Sequence, residues 1–169
     1  MNTSANFPIK PTWAFIAAKP WRFIAFGFGS GLLPKAPGTW GTVAALPFYL
    51  VLNGLPNYAY WTALVLAFIA GIWLCGKTGA ELGEDDHGGI VWDEFVGLWL
   101  SLALVPPGWG WVLVGFVLFR LFDMLKPWPI SLADKKLHGG FGVMFDDILA
   151  GLAALGSLKI LEWLWVSYV

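Results

Sequence analysis

From Tyr58 to Cys75 the chain runs without one charged side chain. A helix of that length is close to the ~20 residues needed to cross a bilayer core. Further apolar stretches repeat the pattern. Val43 to Leu55 and Phe95 to Val105 are short, Trp109 to Leu125 is longer, and Ile148 to Val166 is interrupted by Lys159 and Glu162. Composition points the same way: 58% of residues are hydrophobic and 12% charged, against about 45–50% and about 25% in soluble domains. The 12 Trp and 13 Phe suit the aromatic belts of a membrane interface. The expected fold class is therefore all-α, an integral membrane helical bundle with several spanning or partly spanning helices.

A length of 169 residues allows one domain. Residues 1–20 read as an N-terminal interfacial segment and residues 21–169 as the helical core. The apolar stretch from Trp13 to Ala18 is too short for a secretory signal and Lys19-Pro20 breaks it, so the segment is expected to stay attached. A net charge of −1 gives no electrostatic case for nucleic acid. The single cysteine, Cys75, has no partner for an internal disulfide and reads as a packing residue.

The charges suggest a topology. If Val43–Leu55 and Tyr58–Cys75 form one hairpin, and Phe95–Val105 and Trp109–Leu125 a second, neither tip carries a charge. Lys10, Lys19, Arg22, Lys35, Lys77, Lys126, Lys135 and Lys136 then share one face, which marks the cytoplasmic side. The last helix crosses once more and leaves the C-terminus outside. The first arm of each hairpin is shorter than a straight span, so each either extends into the residues before it or enters the lipid only partly.

Four acidic clusters lie on that same face: Asp85-Asp86-His87, Asp93-Glu94, Arg120 with Asp123 and Lys126, and Asp146-Asp147. Carboxylates in so apolar a chain are costly unless a partner or a metal compensates them. Asp93-Glu94 at the mouth of an apolar helix suits Mg²⁺, which takes one or two carboxylates with waters and substrate phosphate. The same pair could simply satisfy a helix dipole. Glu84 to Asp86 looks like a solvated loop. Arg120, Asp123 and Lys126 recur at helical spacing. They form either an intrahelical ion pair or a metal-binding Asp123 flanked by cations that hold phosphate oxygens. Lys126-Pro127 ends that helix. Asp146 and Asp147 point about 100° apart on a helix, so one acts as first ligand and the other supports it. His138 could protonate a leaving oxygen, or cap a turn.

The glycine-rich stretch from Gly27 to Gly41 has two readings as well. Gly38 and its neighbours could admit phosphate to backbone N–H groups, with Thr39 or Thr42 capping the next helix. Alternatively the glycines serve packing and a turn at Pro37-Gly38. Lys159 and Glu162 are three apart and read as a structural pair.

The runs GFGSGLLPKAPGTWG, DDHGGIVWDEFVG, FRLFDMLKPWPI and HGGFGVMFDDILAG, in that order, resemble the bacterial phosphatidylglycerophosphatase A family over residues 20 to 152. The resemblance implies a compact helical fold in the bacterial inner membrane. It implies a Mg²⁺-dependent phosphatase that converts phosphatidylglycerophosphate to phosphatidylglycerol and inorganic phosphate in phospholipid biosynthesis. Beside it, the residues give a site expectation. Asp93, Glu94, Asp123, Asp146 and Asp147 are candidate metal ligands. Arg120, Lys126, Thr39 and Gly38 are candidates for substrate phosphate. Asp93, Asp123, Asp146 and His138 are candidates for the chemical step. Either water attacks phosphorus or an aspartate acts as nucleophile. The partners expected are a phospholipid substrate and the bilayer; oligomeric state is left open.

Two alternatives stand. Another lipid phosphate could be the substrate; the acid-phosphatase type is disfavoured because no Ser-Gly-His occurs. A small transporter or channel subunit could instead use the carboxylates to bind ions. That class spreads charge along a pathway, whereas these acids gather at one face.

Overall fold

The computed structural model describes residues 10–168, and these are helical with no strand among them. Eight α-helices follow in order: α1 (Trp13–Ala17), α2 (Pro20–Ala25), α3 (Pro37–Asn53), α4 (Asn57–Leu82), α5 (Trp92–Ser101), α6 (Trp109–Leu125), α7 (Ile130–Lys136) and α8 (Gly139–Tyr168), with a 3-10 segment at Gly27–Leu32. Of the proposed interfacial segment, residues 1–9 lie outside the described residues. In the remainder, Thr12 caps α1 by accepting from the Phe15 N–H at 3.2 Å.

Among the described residues, α4 and α8 are the two helices long and apolar enough to cross a membrane. α4 extends the apolar run by seven residues beyond Cys75, ending where Gly83 takes a left-handed conformation (φ 79°). α6 keeps the expected bounds, and Lys126 (φ 41°) ends it ahead of Pro127. α8 begins nine residues before Ile148, so Asp146 and Asp147 lie inside a helix two turns from its start. α5 stops at Ser101; Leu102 to Val105 turn away instead of prolonging it.

The expected first hairpin is corrected. α3 and α4 are joined by a short turn but hardly touch, because α5 packs between them and against α8. The Trp99 indole donates to the Ala45 carbonyl on α3 at 3.0 Å, and the Tyr60 hydroxyl on α4 donates to the Trp99 carbonyl at 2.6 Å. Phe95, Val96 and Leu98 of α5 are fully buried. A helix apolar on all sides is a core helix, so α5 becomes the axis around which α3, α4, α6 and α8 stand.

Contact between α4 and α8 is backbone to backbone. A Cβ on Gly140 would fall 1.9 Å from the Ile72 carbonyl oxygen and 2.6 Å from the Gly76 nitrogen. These glycines let two long helices meet at a distance no side chain permits. Cys75 packs against the Met144 sulfur at 3.8 Å in this seam, as a packing residue would.

The two turns whose own residues carry no charge meet at one end. Tyr49, Leu50 and Asn53 share a cavity of about 260 Å³ with Val105 to Trp109. Lys159 donates to the Leu104 carbonyl there at 2.9 Å and pairs with Glu162 at 2.5 Å. At the other end, Glu81 on α4 receives Lys19 at 3.3 Å, Trp21 at 3.3 Å and Arg22 at 2.6 Å, which fastens α2 to the bundle.

Candidate active site

α5 starts at Trp92, immediately after the turn that covers the end of α4, and this sets Asp93 and Glu94 in its first helical turn. α8 runs beside α5 closely enough that a Cβ on Gly97 would meet the Asp147 carbonyl at 3.0 Å. The consequence is a convergence of three carboxylates. Ligand-capable oxygens of Asp93, Glu94 and Asp147 lie within 4.8 Å of one another. Asp93 is 8% and Asp147 3% exposed, so water does not offset their mutual repulsion.

Oδ1 of Asp93, Oε2 of Glu94 and Oδ2 of Asp147 are buried without any hydrogen-bond partner. Buried polar atoms are nearly always paired, and three orphans on one acidic cluster fit a divalent cation held by oxygens. The donor set is all carboxylate, which suits a hard ion such as Mg²⁺.

The other two candidate ligands take different partners. Asp123 pairs with Arg120 on the same helix at 2.5 Å, the intrahelical ion pair expected from their spacing. Asp146 accepts from the Lys126 ammonium at 2.5 Å, and its Oδ1 is a further unpaired buried oxygen. Asp146 and Asp147 thus divide as their helical angle requires: Asp147 faces the carboxylate triple and Asp146 faces Lys126.

Arg120 links the elements. Its Nη1 lies 3.8 Å from Glu94 Oε1 and 3.5 Å from Thr42 Oγ1 on α3, while its Nε is buried and unpaired. Gly38 lies against both. A Cβ there would sit 2.2 Å from Glu94 Oε1 and 3.2 Å from Arg120 Nη2, so a side chain at 38 would displace these two groups. The capping expectation is corrected: α3 starts at Pro37 behind Ala36 (φ 49°), with no side-chain cap. Thr39 lies inside the first turn, and Thr42 instead bonds the Gly38 carbonyl at 2.8 Å and faces Arg120. The turn proposed at Pro37-Gly38 is likewise the first turn of a helix. The earlier glycines serve packing: a Cβ on Gly31 would fall 2.0 Å from the Gly89 carbonyl.

Lys126 bridges Asp146 and Asp134, both at 2.5 Å. Burial works against its charge, but these two carboxylates overcome that and hold the ammonium well above the ordinary lysine range. An ammonium has three donors, so one is left for a further acceptor. Lys126 reaches both acids because its left-handed backbone turns the chain sharply after α6. Beside it, Asp85, Asp86, Asp134, His138 and Asp146 line a small pocket. His138 is exposed at the pocket rim, just before α8. Asp85 is more than a solvated acid, since its Oδ2 accepts the Gly139 N–H at 3.3 Å at the start of α8.

Asp134 and Thr42 are the contacts that sequence reasoning missed as site residues. Asp134 sits in an Asp-Lys-Lys run that reads as basic surface, and its eight-residue spacing from Lys126 across a Pro-rich turn has no helical meaning. Thr42 was legible only as a cap.

Comparisons with known proteins show the family. Residues 23–162 match the family described as phosphatidylglycerophosphatase A. The chain is 46% identical over 149 residues to a phosphatidylglycerophosphatase A of Escherichia coli K12, covering 88% of this chain and 87% of that one. It is 49% identical over 140 residues to the Haemophilus influenzae protein of the same name, covering 80% and 85%. A Bacteroides thetaiotaomicron protein named putative phosphatidylinositol-3-phosphatase is 40% identical over 148 residues, covering 83% and 92%. No solved structure matches. With a family match that takes in Gly38, both pairs of adjacent acids and the Arg120–Asp123–Lys126 helix end, the chain belongs to the phosphatidylglycerophosphatase A family of phosphatases.

Proposed function

We propose that this protein removes the terminal phosphate of phosphatidylglycerophosphate, with Mg²⁺, to give phosphatidylglycerol and inorganic phosphate. The observation that carries the proposal is the convergence of Asp93, Glu94 and Asp147, with orphaned oxygens, against Arg120. We further propose that α4 and α8 cross the bacterial inner membrane, with the carboxylates towards the cytoplasm. Basic residues gather at that end, which supports the orientation.

In this proposal Asp93, Glu94 and Asp147 hold the cation, with Asp123 and Asp146 behind them. When bound, the ion neutralises phosphate oxygens and makes water a better nucleophile. Arg120 binds a non-bridging oxygen of the terminal phosphate; Asp123 and Thr42 fix its guanidinium in place. Gly38 leaves the approach open, and Thr39 stands beside it on the first turn of α3. The free donor of Lys126 reaches a second phosphate oxygen. Fixed cations aimed at the phosphoryl group stabilise its transition state without reorganisation. His138, at the pocket rim, donates the proton that the leaving glycerol oxygen needs. An aspartyl-phosphate route would use Asp93 or Asp147 as nucleophile and differ by a trapped acyl phosphate.

The test is phosphate release by purified protein in detergent from phosphatidylglycerophosphate, with Mg²⁺ or with a chelator, beside Asp123→Asn. Release that needs both the ion and Asp123 supports the reading; equal release with chelator removes it. A second reading is a different lipid phosphomonoester, favoured by the relative named putative phosphatidylinositol-3-phosphatase. Turnover of a phosphoinositide above that of phosphatidylglycerophosphate would select it.

A further inference from the structure

One face of α6 presents Trp109, the adjacent Val112 and Leu113, Phe116 and Arg120, three or four residues from one turn to the next. One face of α3 presents Thr42, Val43, Leu46, Leu50 and Asn53 at the same intervals. These two helices do not pack on each other along their length. Between them lies an almost purely apolar cavity of about 280 Å³, lined by Val43, Leu46, Trp109, Val112, Leu113 and Phe116. It continues through Trp109 and Val112 into the cavity at the helix tips. Its upper end is closed by Arg120 against Thr42, the contact that joins α6 to α3 beside the carboxylates.

We infer that this groove between α3 and α6 holds one acyl chain of the lipid substrate while its phosphate lies at Arg120. The inference rests on the lipid-phosphatase reading above. What points to an acyl chain is continuity: the residue that ends the groove is the one that would receive the phosphate. Length agrees too. Trp109 to Arg120 is eleven helical steps of about 1.5 Å, about 16 Å in all, close to half of a ~30 Å hydrocarbon core and hence to one leaflet. Chemistry agrees as well, because no charged side chain lines the groove below Arg120. A second apolar cleft, lined by Gly110, Trp111, Val114 and Trp165, occupies another face of α6, away from Arg120, and serves as an internal control.

Leu113 is 64% and Val43 39% exposed in the groove, so a larger side chain there fills space without disturbing the core. Leu113→Trp and Val43→Trp should each raise KM for a dioleoyl substrate in mixed micelles by about tenfold, the loss expected when roughly two methylenes are expelled. The kcat value should stay within about twofold. With Leu113→Trp, whose obstruction lies about 10 Å of helix below Arg120, a dihexanoyl substrate should show neither change, whereas Val43→Trp, next to Thr42, should affect both chain lengths. Val114→Trp, in the control cleft, should behave as wild type. Equal losses on both chain lengths in Leu113→Trp, or no loss in either groove variant, would overturn the inference. A second measurement does not depend on turnover: a phosphatidic acid with a diazirine in one acyl chain, photolysed with the protein in nanodiscs. Enriched labelling of Val43, Leu46, Val112, Leu113 and Phe116 over Val114 and Trp165 is expected. Even labelling of both clefts would overturn the groove assignment. Wild-type protein inert towards every lipid phosphate, with the groove nonetheless labelled, would instead remove the phosphatase reading.

Discussion

Asp147 is the residue on which the site turns. It is one of two adjacent acids, and its neighbour Asp146 is engaged by Lys126 while Asp147 faces Asp93 and Glu94. Asp147→Asn and Asp93→Asn keep the volume and remove a charge that only a cation compensates. Phosphate release should fall by about 10²–10³ in either variant, with thermal stability in detergent unchanged or raised. Gly38→Ala makes a different test. Its new methyl group would sit 2.2 Å from Glu94 Oε1, so Glu94 and Arg120 must both give way. Misplacement of about 1 Å costs up to about 10² in rate, and steady-state kinetics should show that loss in kcat with little change in unfolding temperature. Lys126→Met leaves Asp146 and Asp134 without their shared cation. The loss should be about 2–3 kcal/mol, below the ~3–5 kcal/mol of a fully buried pair because Lys126 and Asp134 keep 27% and 34% of their side-chain surface. Adding Asp146→Asn should restore much of it, as read by thermal unfolding.

Among the elements, α6 was the most legible. Trp109 to Leu125 is apolar throughout, and Lys126-Pro127 is a stop that any helix obeys. α8 was legible in its second half only. Its first nine residues hold three glycines and two aspartates, which read as site residues ahead of the apolar run that begins at Ile148. Those glycines are helical because the α4 backbone lies against them, a tertiary cause with no local signature. The same blindness hid the place of α5. In a chain this apolar every helix looks able to face lipid, so nothing in the sequence said that the ten residues of α5 would fill the centre. The acidic residues of the site were legible as types and approximate location, since carboxylates stand out against an apolar background. Their sorting into a cation cluster and two ion pairs was not, because it depends on the direction each helix turns them. Gly140→Ala tests the α4–α8 seam. Its Cβ would fall 1.9 Å from a backbone carbonyl, which no rotamer relieves. A loss of about 1–3 kcal/mol or more is expected in detergent unfolding; a neutral variant would show that the helices can separate freely.

At the scale of the whole molecule the helices differ in reach. α4 has 26 residues and α8 has 30, whereas α3 and α6 have 17 and α5 has 10. At about 1.5 Å per residue α4 is about 39 Å long, so it overtops the short helices. At the same end Asp85, Asp86, Asp134 and Asp146 line a small pocket, and in the proposed membrane arrangement this end would lie near headgroup depth for a lipid whose tails stay in the bilayer. Asn53 to Asn57 and the C-terminal end of α8 should then face the periplasm, and Lys135 and Lys136 the cytoplasm. Single cysteines at Asn57 and Lys136 in a Cys75→Ala background test this in intact cells with a membrane-impermeant maleimide. Labelling is expected at position 57 and not at 136; the reverse pattern would invert the orientation.

Asp93, Glu94 and Asp147 are proposed to hold a divalent cation. Mn²⁺ can stand in for Mg²⁺ and is seen directly by electron paramagnetic resonance. Titrating Mn²⁺ into the purified protein, and into the Asp93→Asn/Asp147→Asn variant, measures the site without any substrate. A saturable site displaced by Mg²⁺ in wild type, and weakened at least about tenfold in the variant, is the predicted result. Mn²⁺ binding of equal strength in both proteins would contradict it.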